Sequence, residues 1–155
     1  FPYTTLFRSD SVFVICDKLR LKANEVASMT VIGEVKDLNK EPEDYDLIVT
    51  GDLGQCGKET LLALARKDGL SLGGRLEDCG TLIFDRENQD VHAGGSGCGC
   101  SAVTLCGYLL NKLQKGDLKS ILFCGTGALL SPTSTQQGLP IPGVCHAVAI
   151  EGGNK

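Results

Sequence analysis

The pattern of apolar and polar residues is irregular at the start of the chain and becomes regular from Asp46 onward. Short, continuous apolar runs alternate there with longer segments whose apolar residues recur every three or four positions. Runs of the first kind are typical of strands covered on both faces, and the second kind predicts helices that bury one side. The predicted strands are 12–16, 47–49, 81–84, 120–124 and 144–150, and the predicted helices are 58–67 and 101–114.

Strands and helices alternate along the chain, which is the order of an α/β fold in which helices cover a sheet. The last two strands are joined by a long loop rich in glycine and proline. Antiparallel pairing of these two strands would make the sheet mixed. The first residues have no place in this pattern and are interpreted as a leader foreign to the native protein. The sequence therefore predicts a leader over 1–10, a poorly assigned segment over 11–42, and one domain over 43–155.

The charge of the chain narrows the classes of partner. Its 15 basic and 19 acidic residues give a formal net charge of −4, and the pI is near 5.1. Because nucleic-acid binding needs a basic face, we expect no nucleic-acid partner. No apolar run approaches the length of a membrane span, and we identify no secretory signal peptide. We expect any link to a membrane to run through a partner or a surface contact.

Eight cysteines are present, and their context favours free thiols over disulfides. Cys124 and Cys145 lie in apolar strand patterns, and Cys106 lies on the predicted buried face of the second helix. In such places a thiol behaves as a small hydrophobic group. The irregular spacing does not match a small secreted scaffold held by disulfides. We therefore expect buried, reduced cysteines.

The most distinctive segment is the small-residue stretch at 94–99, directly before the second predicted helix. It does not fit the Gly-x-Gly-x-x-Gly pattern, whose third position falls on Cys100, and no Gly-Lys-Ser/Thr follows. The sequence therefore carries no nucleotide-binding motif. Two interpretations stay open. The glycines allow a strand and a helix to pack tightly, or their N–H groups, with Ser96 or Ser101, hold a small anion.

Other side chains near this segment have both chemical and structural interpretations. Cys98 precedes a predicted helix, and with His92 as base it has the two groups of a nucleophilic pair. Cys98, Cys100, Cys106 and His92 are residue types that bind zinc, but their spacing does not match the paired Cys-x₂-Cys pattern of zinc sites. Asp52 directly follows a predicted strand, where ligands bind in open α/β sheets or where an aspartate stabilises a turn. The uncharged loop at 125–137 offers hydroxyl and amide groups that suit hydrogen bonding to a polar ligand.

Four longer phrases of sequence point to one family. They are YDLIVTGDLGQ (45–55), DCGTLIFD (78–85), QDVHAGGSGCGCSAV (89–103) and ILFCGTGALLSPTSTQQG (121–138). In this order they resemble the C-terminal half of the stage V sporulation protein AD family, which belongs to the thiolase-like superfamily. The resemblance extends over about 43–151. It implies that 43–155 is the C-terminal half of a thiolase-like α/β fold, with a mixed sheet covered by helices.

The resemblance also implies a function without catalysis. Members of this family are expected to bind dipicolinic acid (pyridine-2,6-dicarboxylic acid) for its uptake into developing spores. The implied partners are other stage V sporulation membrane proteins, the implied location is peripheral to the spore inner membrane, and no cofactor is implied. The pocket of the superfamily forms between two halves. A half-sheet with an exposed apolar face therefore predicts a homodimer or aggregation.

On this resemblance, we expect six residues to line the ligand: Asp52, His92, Ser96, Cys98, Thr126 and Gly127. Condensing enzymes of the superfamily carry a histidine after the strand equivalent to 47–50, where this chain has Thr50-Gly51-Asp52, so the acyl-transfer groups are mostly missing. Asp52 is an unusual neighbour for a dianion, and it either orders the loop or binds a Ca²⁺ that accompanies the ligand. The alternative function is an acyltransferase or thiolase-like enzyme that uses the Cys98/His92 pair.

Overall fold

One six-stranded sheet organises the protein, and the computed structural model describes residues 14–22, 25–32, 40–128, 131–139 and 141–152. The strands are β1 (Val14–Lys22), β2 (Glu25–Ile32), β3 (Leu47–Thr50), β4 (Leu76–Asp78), β5 (Ser120–Ala128) and β6 (Ile141–Glu151). The helices are α1 (Gly54–Lys67), α2 (Cys79–Leu82), α3 (Cys100–Thr104), a π-helical turn (Leu105–Leu109), α4 (Leu110–Lys115) and α5 (Pro132–Gln136). Short 3₁₀ turns lie at Pro42–Asp44 and Gly73–Arg75.

The sheet is mixed, with the strand order β2-β1-β6-β5-β3-β4. β3 pairs parallel with β4 and with β5, because each connection between these strands passes through helices and returns the chain in the same direction. β6 pairs antiparallel with β5 and with β1, and β1 and β2 form an antiparallel pair. The predicted α/β class and the antiparallel pairing of the last two strands are confirmed.

Alternate residues of the central strands supply two hydrophobic layers. On one face, Ile48 packs with α1 through Leu61. On the other face, Val49 and Ile121 pack against Leu109 of the helical run at 100–115. Leu109 and Ile121 are among the most deeply buried side chains of the described residues. The helices thus cover both faces of β3 and β5, as the near-continuous apolar runs of these strands predict.

The predicted strand at 81–84 is wrong. The strand in this region is β4, which ends at Asp78, and the next residues form α2. The Asp78 side chain accepts the N–H of Gly80 at 2.9 Å and so caps this helical turn. A short apolar run does not by itself separate a strand from a buried helical turn. Ile83 and Phe84 follow the turn, and each is 39% exposed.

The predicted loop at 125–137 is also partly wrong. β5 continues through Ala128, because Gly125 and Thr126 keep their antiparallel pairing with His146 and Cys145 of β6. Residues 132–136 form α5. Glycine and threonine at a strand end carry no signal for the partner strand, so the sequence alone ended β5 too early.

The helix predicted at 101–114 is confirmed, with one further residue at each end, but its buried face is not regular. The buried positions are Cys100, Thr104, Leu109 and Leu113. The step of five residues from Thr104 to Leu109 crosses the π-helical turn, which adds a residue and shifts the phase of the helix. Cys106 falls between these positions and is exposed, so its predicted burial is wrong.

Several element bounds differ from the prediction, and two parts of it lie outside the described residues. α1 begins at Gly54 rather than at 58; the side chain of Asp78 accepts the N–H groups of Leu53 and Gly54 at this end, and Gly54 has a φ of +67°. The poorly assigned segment 11–42 contains β1 and β2. The predicted leader at 1–10 and the first two residues of the strand at 12–16 lie outside the described residues. None of the helices in the described ranges has the length and apolar content needed to cross a bilayer.

Candidate functional site

The carboxyl ends of three parallel strands meet at one edge of the sheet. β3 ends at Thr50, β4 ends at Asp78, and Thr126 lies in β5 two residues beyond Cys124, the partner of Thr50. In open α/β sheets, ligands bind at this edge. The loop at 91–99 reaches the same edge, so the two glycine-rich segments of the sequence lie together.

Asp52 joins these segments directly. Its Oδ2 accepts hydrogen bonds from the Ser96 hydroxyl and the Gly97 N–H, each at 3.2 Å. Its Oδ1 accepts one from the Thr126 hydroxyl at 3.1 Å, and that hydroxyl accepts the Asp52 N–H at 3.1 Å. A Cβ at Gly51 would lie 2.7 Å from the Thr126 hydroxyl oxygen, so glycine is needed for this approach. Of the two roles expected for Asp52, this geometry supports the ordering of the loop.

Asp78 is the second carboxylate at this edge and is fully buried. Its Oδ2 accepts the Thr50 hydroxyl at 2.6 Å and the Leu53 N–H at 2.8 Å. Its Oδ1 accepts the N–H groups of Gly54 and Gly80, each at 2.9 Å. The Leu53 and Gly54 N–H groups belong to the open N-terminus of α1, so Asp78 caps α1 from another strand as well as capping α2.

Residues 93–95 pack tightly against the strand ends. The Gly95 N–H donates to the Gly80 carbonyl at 2.6 Å, and the Gln55 N–H donates to the Ala93 carbonyl at 2.7 Å. A Cβ on Gly80 would collide with the Gly95 carbonyl oxygen, and a Cβ on Gly94 would collide with the Gly80 carbonyl oxygen. Gly94 also has a φ of +104°, which favours glycine. The packing interpretation of the glycine-rich loop therefore applies to these residues.

Residues 96–99 are different, because they are exposed and border open space. A Cβ on Gly97 or Gly99 would meet no atom within 4 Å. Together with Cys100 and three apolar side chains, Ile83, Phe84 and Val103, these residues line an open recess of about 380 Å³. The backbone of 96–99 is thus accessible to a ligand that contacts the apolar wall.

The structure brings four of the six predicted site residues together. Ser96 and Cys98 line the recess, and Asp52 and Thr126 are connected to it through the Ser96 hydroxyl. Gly127 follows Thr126 on β5 and is exposed, away from the residues that line the recess.

His92 is not part of this cluster. Its side chain is 90% exposed, its φ is +47°, and its Nε2 lies 3.7 Å from Asp90. No hydrogen bond connects His92 to Cys98 within the described residues, so the structure does not assemble the nucleophilic pair considered from the sequence. His146 is exposed on β6, paired with Gly125.

The thiols at this edge differ in accessibility. Cys79 is fully buried, and this burial together with the nearby Asp78 raises the pKa of its thiol to about 12. Burial, with Asp52 and Asp78 nearby, also raises the pKa of Cys100. Both thiols are therefore neutral at pH 7 and unsuited to act as nucleophiles. Cys98 is exposed at the recess.

Acidic, histidine and cysteine side chains do not converge on a metal position in this part of the molecule. Within the described ranges, no three such side chains are placed to share an ion. The zinc ligands considered from the sequence, Cys98, Cys100, Cys106 and His92, are therefore not assembled.

Sequence reasoning missed Asp78, Ile83 and Phe84. Asp78 had a usable signal, because aspartate is a preferred N-cap residue whose side chain accepts an N–H of the first helical turn. Its partners in the loop after β3 had no signal, since they lie 24 to 28 positions away in the chain. Ile83 and Phe84 were assigned to a buried strand and instead form the apolar wall of the recess.

Comparison with known proteins identifies the family. The family model described as Stage V sporulation protein AD (SpoVAD) matches residues 22–151. The chain belongs to the stage V sporulation protein AD family. This membership confirms the resemblance found in the sequence and assigns the protein a role in sporulation. The match begins well before residue 43, where the sequence resemblance began, and so includes β2.

A curated relative gives the extent of the similarity. Stage V sporulation protein AD of Bacillus subtilis (strain 168) is 43% identical over 125 residues, which are 81% of this chain. The chain spans 37% of the length of that relative. Its membership of the thiolase-like superfamily stays a prediction.

Proposed function

We propose that this chain supplies part of a non-catalytic site for dipicolinic acid, which serves the uptake of the acid into developing spores. The observation that carries the proposal is the junction of Asp52, Ser96 and Thr126 beside a recess with an apolar wall. This junction holds an accessible backbone segment at the strand ends, which is where α/β proteins bind small ligands.

The chemistry of the recess suits a planar aromatic dicarboxylate. Phe84 and Ile83 offer apolar surface to the pyridine ring. The N–H groups of Ser96, Cys98 and Gly99 have no acceptor within the described part of the chain. They can donate to the carboxylates, as backbone N–H groups do at other anion sites.

The same geometry supports binding without acyl transfer. His92 contacts Asp90 instead of Cys98, and the position that would carry a catalytic histidine is Thr50-Gly51-Asp52, whose side chains hold neighbouring loops. The alternative, an acyltransferase or thiolase-like enzyme, stays a prediction. It requires turnover of an acyl-CoA that is lost in Cys98→Ser.

We infer the setting of the protein from its family. Other stage V sporulation membrane proteins are the proposed partners, and the proposed location is peripheral to the spore inner membrane. Asp52 already accepts hydrogen bonds from Ser96, Gly97 and Thr126. A Ca²⁺ that accompanies the ligand would therefore be held by the carboxylates of the ligand and not by Asp52. A homodimer is proposed as well, and the exposed side chain of Tyr108, outside the recess, offers apolar surface for it.

The test is isothermal titration of the full-length protein with dipicolinate. We expect saturable heat with dipicolinate and weaker binding of picolinate, which has one carboxylate. The variant Ser96→Trp fills the mouth of the recess and should abolish the heat. Absence of heat with a folded wild-type protein would contradict the proposal.

Ser71→Trp is the matched control. Ser71 is exposed in the turn before β4 and does not line the recess. It introduces the same side chain at a serine, so we expect wild-type affinity. Equal loss of binding in both variants would show that the recess is not the site.

A further inference from the structure

Asp78 forms hydrogen bonds beyond the capping of α2. It is a fully buried carboxylate, and within the described residues no lysine, arginine or histidine forms an ion pair with it. Burying an ionised group without a cation is costly unless hydrogen bonds replace its hydration. Four donors supply those bonds: the hydroxyl of Thr50 and the N–H groups of Leu53, Gly54 and Gly80.

Three of the four donors belong to the turn that carries Asp52. Thr50 and Leu53 bond to Oδ2, and Gly54 bonds to Oδ1, so one side chain fixes both ends of the turn between β3 and α1. Asp52 lies between these anchors, and its side chain bonds to Ser96, Gly97 and Thr126. Asp78 is therefore connected to the recess through this turn, and also through Gly80, whose carbonyl accepts the Gly95 N–H at 2.6 Å.

We propose that Asp78 is a positioning residue for the ligand site: it fixes the turn from which Asp52 holds the loop at 96–97 against β5. The proposal rests on the proposed dipicolinate site for its functional meaning. Asp78 itself does not line the recess. On this proposal its effect on a ligand passes through Asp52, rather than through the contact of Gly80 with Gly95.

Asp78→Asn isolates this effect with little change in volume. One amide oxygen can still accept the N–H groups of Gly54 and Gly80. The new NH₂ group would face the Leu53 N–H, and two donors cannot bond to each other. The turn is thus loosened at the residue next to Asp52. We expect the Kd for dipicolinate to rise by about tenfold or more.

A double-mutant cycle with Asp52→Asn tests whether the effect of Asp78 on binding passes through Asp52. If Asp78 acts through Asp52, its substitution adds little once Asp52 has been replaced, and the two effects on Kd are strongly non-additive. Additive effects on Kd would overturn the proposal. Thr50→Val removes a single donor to the same carboxylate and is the milder variant should Asp78→Asn fail to fold.

Amide hydrogen exchange gives a readout that needs no ligand. The Gly97 N–H bonds to Asp52, and the Asp52 N–H bonds to Thr126; neither touches Asp78. We expect Asp78→Asn to accelerate exchange at both amides by about tenfold while amides in β5 keep their protection. Unchanged exchange at Gly97 and Asp52 would overturn the proposal. If the wild type binds no dipicolinate, the proposed function fails, and exchange still decides the role of Asp78.

Ile121→Val is the control for a merely structural loss. Ile121 is fully buried near the start of β5, five residues before Thr126 and outside the chain of contacts from Asp78 to Gly97. We expect a lower Tm in this variant with unchanged Kd and unchanged Gly97 exchange. A parallel loss of affinity would assign the Asp78 effect to general destabilisation.

Discussion

The two halves of the glycine-rich loop both consist of small residues but have opposite roles. Residues 93–95 pack against Gly80 and Gln55, so their glycines are needed because no Cβ fits. Residues 96–99 border open space, so their backbone is available to a ligand. A run of glycine therefore indicates a close backbone approach, but it does not say whether the approaching group is the protein itself or a ligand.

The largest expected effect is on the free energy of unfolding, and it separates the two halves of the glycine-rich loop. Gly80→Ala puts a Cβ against the Gly95 carbonyl oxygen, and Gly94→Ala adds the cost of a φ of +104°. Each should lower the free energy of unfolding by roughly 3 kcal/mol or more, or prevent folding. Gly99→Ala has open space and a φ of −98°, and should change it by less than about 0.5 kcal/mol. Denaturant unfolding of the three variants measures the contrast. Equal losses in all three would contradict the division of the loop.

The next effect concerns the bond that connects the loop to β5. Thr126→Val removes the hydroxyl that both donates to and accepts from Asp52, with little change in shape. We expect a loss of about 1–3 kcal/mol, because the carboxylate keeps its burial and loses a partner. Thr135→Val is the matched control, since its hydroxyl bonds an exposed carbonyl at Ser131. A loss in the control as large as that in Thr126→Val would contradict the contribution assigned to this bond.

The thiols give a third contrast, between Cys79 beside Gly80 and Cys98 at the recess. Because the pKa of Cys79 is about 12 in the folded state, against about 8.5 when unfolded, the unfolded state loses this proton first as pH rises. The stability that the protonated Cys79 thiol contributes is therefore complete below about pH 8.5. Above that pH the free energy of unfolding decreases by up to about 1.4 kcal/mol per pH unit. Unfolding from pH 8 to 10 should show this slope in the wild type and a smaller one in Cys79→Ala.

Alkylation of the native protein checks the same contrast at pH 8. Iodoacetamide should modify the exposed Cys98 and Cys106 well before Cys79, as measured by mass spectrometry of peptides. Modification of Cys79 at the rate of Cys98 would contradict its burial in solution.

The smallest effect on stability is expected at the recess itself. Ser96→Ala removes an exposed hydroxyl that donates to Asp52 at 3.2 Å, and should cost less than about 0.5 kcal/mol of stability. It should still weaken dipicolinate binding by about threefold to tenfold, because the loop is less firmly held. Titration and thermal unfolding of this variant compare the two quantities. A large fall in Tm with unchanged Kd would reverse the roles assigned to the two halves.

The sequence by itself determined the fold class, the family and the position of most elements. The apolar runs of β3 and β5 are strong signals because both faces of these strands are buried. The position of Asp52 directly after a strand, and of Ser96 in a small-residue loop, was enough to name two residues that the structure joins.

Only the tertiary structure decided which groups meet. The capping of α1 by Asp78, the contact of Gly80 with residues 94–95 and the exposure of Cys106 after a π-helical turn depend on chain segments brought together by the sheet. A local pattern records which residues prefer a strand, a helix or a turn. The partner of a buried carboxylate or of a glycine without space for a side chain is set by packing between distant segments, and so it could not be read from either segment alone.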